Sequence, residues 1–193
     1  MVVKNGGGTD ETLTLGFANS IAISGNWLAI AVENKVKSSA GAVLIYDLTA
    51  TTPAFVKAIK AGALPDMLTF TPDGQAILIA NEGEPESNYS VDPEGSIGLV
   101  KLANNQWPDQ MTLLGFGAFE SQRAALEKKG LKIAAPAGTT LAQEIEPEYI
   151  TVSADGKKAF VSLQENNALA IVDLTKKQIS KVVALGFKDY SQS

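Results

Sequence analysis

One pattern occurs three times along this chain, and that recurrence narrows the fold more than any other feature. Each copy is a short alternating strand, a tight turn, a second strand that ends in a loop, then a third strand. The first copy runs NSIAISGNWLAIAVEN (Asn19 to Asn34) and resumes at GAVLIYDL (Gly41 to Leu48). The second runs PDMLTFTPDGQAILIANEGE (Pro65 to Glu84) and resumes at GSIGLVKL (Gly95 to Leu102). The third runs PEYITVSADGKKAFVSLQEN (Pro147 to Asn166) and continues directly as NALAIVDL (Asn167 to Leu174). The turns Thr71-Pro72-Asp73-Gly74 and Ser153-Ala154-Asp155-Gly156 put Pro, Asp and Gly where hairpin loops need preset or positive φ.

A fourth apolar-alternating run follows each third strand, at Ala54 to Lys60, Met111 to Phe116 and Ile179 to Leu185. Four antiparallel strands per repeat make a propeller blade, so the fold class is all-β, built of β-propeller blades. A β-sandwich is also assembled from hairpins and stands as the alternative. The expected organisation is one partial propeller domain over residues 1–193, with blades at about 19–60, 65–116 and 147–185. An insertion at about 117–144 separates the last two, and FESQRAALEKK (Phe119 to Lys129) reads as a short helix stopped by Gly130. Its apolar stripe would be Phe119, Ala125 and Leu126. Met1 to Asp10 is expected to fray, with a stray strand at Glu11 to Leu15.

Propellers close with about four to eight blades, so three leave an incomplete ring. The uncovered faces would carry Leu28, Ile30 and Val32 at one end and Phe160, Ser162 and Ala170 at the other. Apolar faces of that kind favour self-association into a homo-oligomer, or completion by the missing remainder of a propeller.

Composition removes whole classes of chemistry. There is no His and no Cys, which excludes a Ser-His-Asp triad, a Cys-His pair and a zinc site of the His or Cys type. Any metal must be held by oxygen, which favours calcium or magnesium. A net charge of -5 argues against nucleic acid as a partner. No apolar stretch approaches the roughly 20 residues of a membrane-spanning helix, and the first ten residues lack the apolar middle of a signal peptide.

The runs ALPDMLTFTPDGQAILIANEGEPESNYSVDPEGSIGLV (Ala63 to Val100), EPEYITVSADGKKAFVSLQENNALAIVDL (Glu146 to Leu174) and LGFKDYS (Leu185 to Ser191) resemble the choice-of-anchor I proteins. NEGEP and LQENNALA are the specific segments; the turns alone match any propeller of the YVTN type. The family is similar to the mesenchyme-specific cell-surface glycoproteins of biomineralising animals, and its bacterial members are often labelled alkaline-phosphatase-like. The resemblance implies a complete propeller in longer members, and an extracellular, periplasmic or cell-surface location.

Aligning the copies places Asn19, Asp66 and Glu148 in one column and Glu33, Glu82 and either Gln164 or Glu165 in a second. In a propeller both columns open on the same rim of the central channel, so carboxylates from separate blades converge there. Crowded carboxylates stay ionised together only with a cation or strong donors between them. The expected metal ligands are Asp66, Glu82, Glu148 and Glu165, with Glu33 outermost, and calcium or magnesium as the ion. Against this stands the simpler role of strand-end polar residues, which hydrogen-bond the neighbouring blade. The acidic loop Glu82 to Glu94 offers a local alternative through Glu84, Glu86, Asp92 and Glu94, without EF-hand spacing. Asp47, Lys101 and Asp173 share the end of the third strand and read as edge contacts. Trp27 and Tyr149 read as packing residues, Trp107 as an exposed loop residue, and Arg123 as a surface partner of Glu120 or Glu127.

The function expected is a non-enzymatic binding or structural module of a secreted or cell-surface protein, stabilised by calcium at an acidic rim. The alternative is a metal-dependent, calcium-type phosphoester hydrolase, for which the family label and the acidic residues speak. A pure scaffold would need no site at all. Whether the chain is an enzyme stays open at this level.

Overall fold

The Asp-Gly turns close by the same network in two of the three repeats. Gly74 sits at φ 68, its amide donates to the Thr71 carbonyl at 2.8 Å, and the Thr71 amide donates to Ala76 O at 2.9 Å. Asp73 accepts from the Thr71 hydroxyl at 2.6 Å and from the Gln75 amide at 3.0 Å. In the third repeat Gly156 sits at φ 67 and donates to Ser153 O at 2.8 Å, while Asp155 accepts from the Ser153 hydroxyl at 2.7 Å and the Lys157 amide at 3.1 Å. A left-handed position that glycine adopts without steric cost thus reverses the chain between the inner two strands.

The computed structural model describes residues 1–4, 7–188 and 191. It holds three four-stranded antiparallel sheets and one two-stranded sheet. The first large sheet is β3 (Leu15–Ser24), β4 (Trp27–Asn34), β5 (Ala40–Asp47) and β6 (Ala54–Ala63). The second is β7 (Pro65–Phe70), β8 (Ala76–Asn81), β9 (Ser96–Lys101) and β10 (Thr112–Gly115). The third is β11 (Tyr149–Val152), β12 (Lys158–Leu163), β13 (Ala168–Asp173) and β14 (Gln178–Ala184). These are the three expected blades.

Alternation along the strands explains how the sheets stack, because successive side chains point to opposite faces. Ile77 and Ile79 of the middle sheet pack with Ala29, Ala31, Val43, Ile45 and Ile59 of the first. Their neighbours Ala76, Leu78 and Ala80 pack the other way, with Ile150, Ala159, Val161 and Val172 of the third. Every residue of β8 is therefore buried. Ala170 also packs toward the middle sheet, opposite to Phe160 and Ser162, so the expected grouping of these three on one uncovered face does not hold.

Two expectations change at the termini of the pattern. The N-terminal stretch is ordered into strands: β1 (Val2–Lys4) pairs with β2 (Asp10–Thr12), and Val3 and Leu13 are buried against Val32, Ala42, Leu44 and Ala58. Asn5 and Gly6 of this stretch lie outside the described residues, as do Asp189 and Tyr190 of the LGFKDYS run. The first blade also begins earlier than Asn19, at Leu15.

The insertion is helical but more broken than expected. A 3-10 turn spans Gly117–Gln122, followed by helix α1 (Arg123–Glu127). Phe119 and Leu126 are buried as the stripe requires, whereas Ala125 is exposed, since the change of pitch turns it outward. A second helix, α2 (Leu141–Glu144), carries a capping box in which Thr140 accepts from the Gln143 amide and Gln143 reaches back to Thr140. Leu141, Ala142 and Ile145 then enter the core between the second and third sheets. Among the described residues no helix is long and apolar enough to cross a membrane.

Candidate functional site: an acidic rim

Strand register puts the first column of polar residues at one end of the inner strands. Ser20 pairs with Ala31, Met67 with Ala80 and Tyr149 with Ser162, so the preceding residues Asn19, Asp66 and Glu148 are equivalent. Asn19 and Asp66 each fall at a register shift, between Ala18 and Ser20 and between Pro65 and Met67. An extra residue of this kind leaves the ladder and re-aims its side chain. The Glu148 amide still reaches Ser162 O at 3.1 Å.

The second column lies within the last residues of β4 as Glu33 and just past the ends of β8 and β12. Glu33 is buried and accepts from Asn19 Nδ2 at 3.5 Å, while the same amide group donates to Pro65 O at 3.2 Å. Glu33 and Asn19 thereby couple the first blade to the start of the second, the simpler role considered for strand-end polar groups. Glu82 is half-buried and Glu165 exposed.

The electrostatics show which carboxyls share a field. Burial drives the Glu82 carboxyl up to about 8, with Asp66, Glu84, Glu146 and Glu148 adding to the rise. Glu146 is pushed up to about 7, first by burial and then by Glu165, Glu84, Glu148 and Asp92. Glu148 is raised by burial, then by Glu165 and Asp66, and burial alone raises Asp66. Of the four residues expected from the repeat, Glu82 feels Asp66 and Glu148, and Glu148 feels Asp66 and Glu165. Glu84 and Glu146 also act on Glu82, and the repeat alignment places neither in a column. Glu146 stands two residues before Glu148 in Glu-Pro-Glu, and Glu84 two residues after Glu82, spacings that a column-by-column alignment passes over.

The donor set is all carboxylate oxygen and suits a hard cation. Its spacing is open: among the described residues no three acidic groups stand close enough to grip an ion together as they are. The acidic loop is held in other ways. Glu84 pairs with Lys37 at 3.3 Å, and Glu86 accepts from the Ser38 hydroxyl at 3.1 Å and the Ser90 hydroxyl at 2.9 Å. Glu144, with its side chain 1% exposed, accepts from the Ala134 and Ala135 amides and the Thr139 hydroxyl and pairs with Arg123 at 3.5 Å. Arg123 also meets Glu127 at 3.1 Å and Glu120 at 3.8 Å, the two expected partners.

Other singled-out residues resolve as structure. Trp107 is buried, edge-on to Trp27 at 5.8 Å and to Phe70 at 6.1 Å, because its loop folds over the first two sheets. Tyr149 is exposed instead of packed, since it lies on the outer face of the third sheet. Asp47 and Asp173 each accept from amides two residues on, at 2.7 and 3.0 Å, and so close local turns.

Residues 5–193 match the model of the choice-of-anchor I domain. The chain belongs to the choice-of-anchor I family. No curated protein matches its sequence. Its sheets superpose on a putative 6-phosphogluconolactonase from Bacteroides uniformis at 14% identity, with a TM-score of 0.54 over 92% of this chain and 47% of that one. The hydrazine synthase of Kuenenia stuttgartiensis gives 13% identity and a TM-score of 0.52, covering 86% of this chain and 49% of that one. A eukaryotic initiation factor gives 15% identity and a TM-score of 0.52, covering 91% and 34%. At such identities the likeness is one of fold. This choice-of-anchor I chain spans half or less of the length of these three structures.

Proposed function

We propose that the chain is a non-enzymatic binding or structural propeller module of a surface-associated protein, and that its acidic rim takes a hard cation, calcium first. What supports this reading is the equivalent strand-end position of Asp66 and Glu148 in two blades, together with the electrostatic pressure that Asp66, Glu84, Glu146 and Glu148 put on Glu82 and that Glu165 puts on Glu146 and Glu148. Proton uptake, a basic side chain such as the Lys37 that pairs with Glu84, or a bound cation relieves carboxyls that repel one another. The family supports a surface location. Calcium would enter by drawing these side chains inward or through bridging water, which suits the weak sites of extracellular modules, with dissociation constants of about 0.1 to 1 mM.

Calorimetric titration of calcium into the chelator-treated chain tests the reading. Binding that is lost in the Glu82→Gln, Glu146→Gln double variant is expected, and heat unchanged by that variant would remove the rim from the account. Incubation of the calcium-loaded chain with a phosphomonoester is run alongside. Turnover abolished by the same substitutions would replace the non-enzymatic reading with the hydrolase.

A further inference from the structure

The acidic loop between β8 and β9 is folded on itself and pinned to the insertion. Tyr89, in the left-handed region at φ 55, donates its amide to Glu86 O at 2.7 Å, and the Glu86 amide donates to Val91 O at 2.9 Å. The Gln143 side-chain amide of α2 donates to Asp92 O at 2.9 Å, and the Gly95 amide to Ala142 O at 3.0 Å. These bonds hold the Asp92 backbone against α2 and carry its side chain inward. Both carboxylate oxygens of Asp92 are buried, and neither has a hydrogen-bond partner.

Asp92 opens on a narrow cavity of about 20 Å³, room for one body the size of a water molecule or a metal ion. Glu144, Glu146 and Glu165 line it as well, brought there by α2, the segment after it and the turn after β12. Of the acidic residues in the loop itself, only Asp92 does so. Glu144 is already answered by Arg123, by the Ala134 and Ala135 amides and by the Thr139 hydroxyl. Among the described residues no ion pair reaches Asp92, Glu146 or Glu165. The charges that act on Glu146 are those of Glu165, Glu84, Glu148 and Asp92, all negative.

A buried carboxylate without donors is costly unless something compensates its charge. One water gives Asp92 two hydrogen bonds but leaves three negative charges standing. A calcium ion, which takes carboxylate, carbonyl and water oxygens in a flexible shell, answers both needs. We propose that this cavity is the seat of the cation: one calcium ion, bound directly by Asp92 and reached by Glu146 and Glu165 in part through water, ties the acidic loop to α2 and the third blade. This rests on the reading that the acidic rim takes a hard cation, and it gives that ion a principal ligand outside both repeat columns. The carboxylates stand too far apart to grip an ion together as they are, hence the bridging water. Magnesium, which demands near-ideal octahedral geometry, suits such a spread less well.

Calcium is titrated into the chelator-treated full chain and followed by calorimetry and amide exchange. Expected are slowed exchange at Glu86–Asp92, at least tenfold weaker binding to Asp92→Asn, and less than threefold change in Glu82→Gln. In chelator Asp92→Asn should melt no lower than the parent, because it removes a buried charge that has no partner. Should it melt lower, Glu165→Gln decides, since that residue is exposed: weaker binding is expected, and unchanged binding overturns the seat. If calcium binds the parent and Asp92→Asn equally well while Glu82→Gln loses it, the rim keeps its cation and the Asp92 seat is overturned. If calcium does not bind the parent, both readings fall.

Discussion

Gly41 opens the third strand of the first blade where that blade meets the second, and the space around it leaves no room for a methyl group. A Cβ built there would stand 2.5 Å from the Val32 carbonyl oxygen and 2.6 and 2.7 Å from Cδ and Cγ of Pro65. Ordinary contact begins at 3.4 Å, so these atoms must retreat by about 0.9 Å. Neither obstacle can rotate aside: one is the main chain of β4, the other the ring that starts β7. Overpacking of this kind costs about 1 to 3 kcal/mol, and two rigid obstacles put Gly41→Ala near the top, at about 3 kcal/mol. For a chain of this size that lowers the melting temperature by about 6 to 12 °C. Urea and thermal denaturation followed by circular dichroism read both quantities. Gly115→Ala is the control, because a Cβ there meets nothing within 4 Å and its neutral or stabilising effect should stay within about 1 kcal/mol. A Gly41→Ala chain within about 0.5 kcal/mol of the parent would refute the argument that close approach of β5 to Pro65 fixes the angle between the first two blades.

The Glu82 carboxyl rises from 4.5 to about 8 on folding, so the fold favours its protonated form and stability falls as pH climbs between those values. In chelator, Glu82→Gln should flatten the decline of the urea midpoint between pH 5 and pH 8; an unchanged slope would contradict the crowding of the rim. Arg123→Met strands the buried Glu144 carboxylate and should cost about 3 kcal/mol, with tryptic cleavage appearing first at Lys128, Lys129 or Lys132. Leu78→Ala removes a fully buried side chain between the second and third sheets and should cost about 3 kcal/mol, measured by chemical denaturation.

The blades were legible because their signals are local. An Asp-Gly turn between two alternating runs needs no distant contact to be read, and the turns at Thr71–Gly74 and Ser153–Gly156 form the bonds their residues call for. The column Asn19, Asp66, Glu148 was legible for the same reason, since equivalent strand positions share an end of the sheet. What escaped depends on packing. Val3 and Leu13 anchor an N-terminal hairpin whose sequence, rich in glycine, reads as a frayed end. Trp107 lies in a polar loop, and only the approach of Trp27 and Phe70 buries it. Glu146 and Glu84 act on Glu82 from loops that no strand period encodes. The α2 helix did leave a local mark, Thr140-x-x-Gln143, which a run of only four helical residues made easy to overlook.

In all three large sheets each strand pairs with its neighbour in sequence, and no sheet borrows a strand from another. The blades are therefore joined by side-chain faces, by hydrogen bonds at their strand ends such as Asn19 to Pro65, and by the connecting chain, as in arrays where stability is a sum of unit and interface terms. Loss of structure can then proceed unit by unit from the ends, with the middle sheet, covered on both faces, the last to open. The same independence lets whole blades be gained, lost or split between polypeptides over evolutionary time without rewiring those that remain.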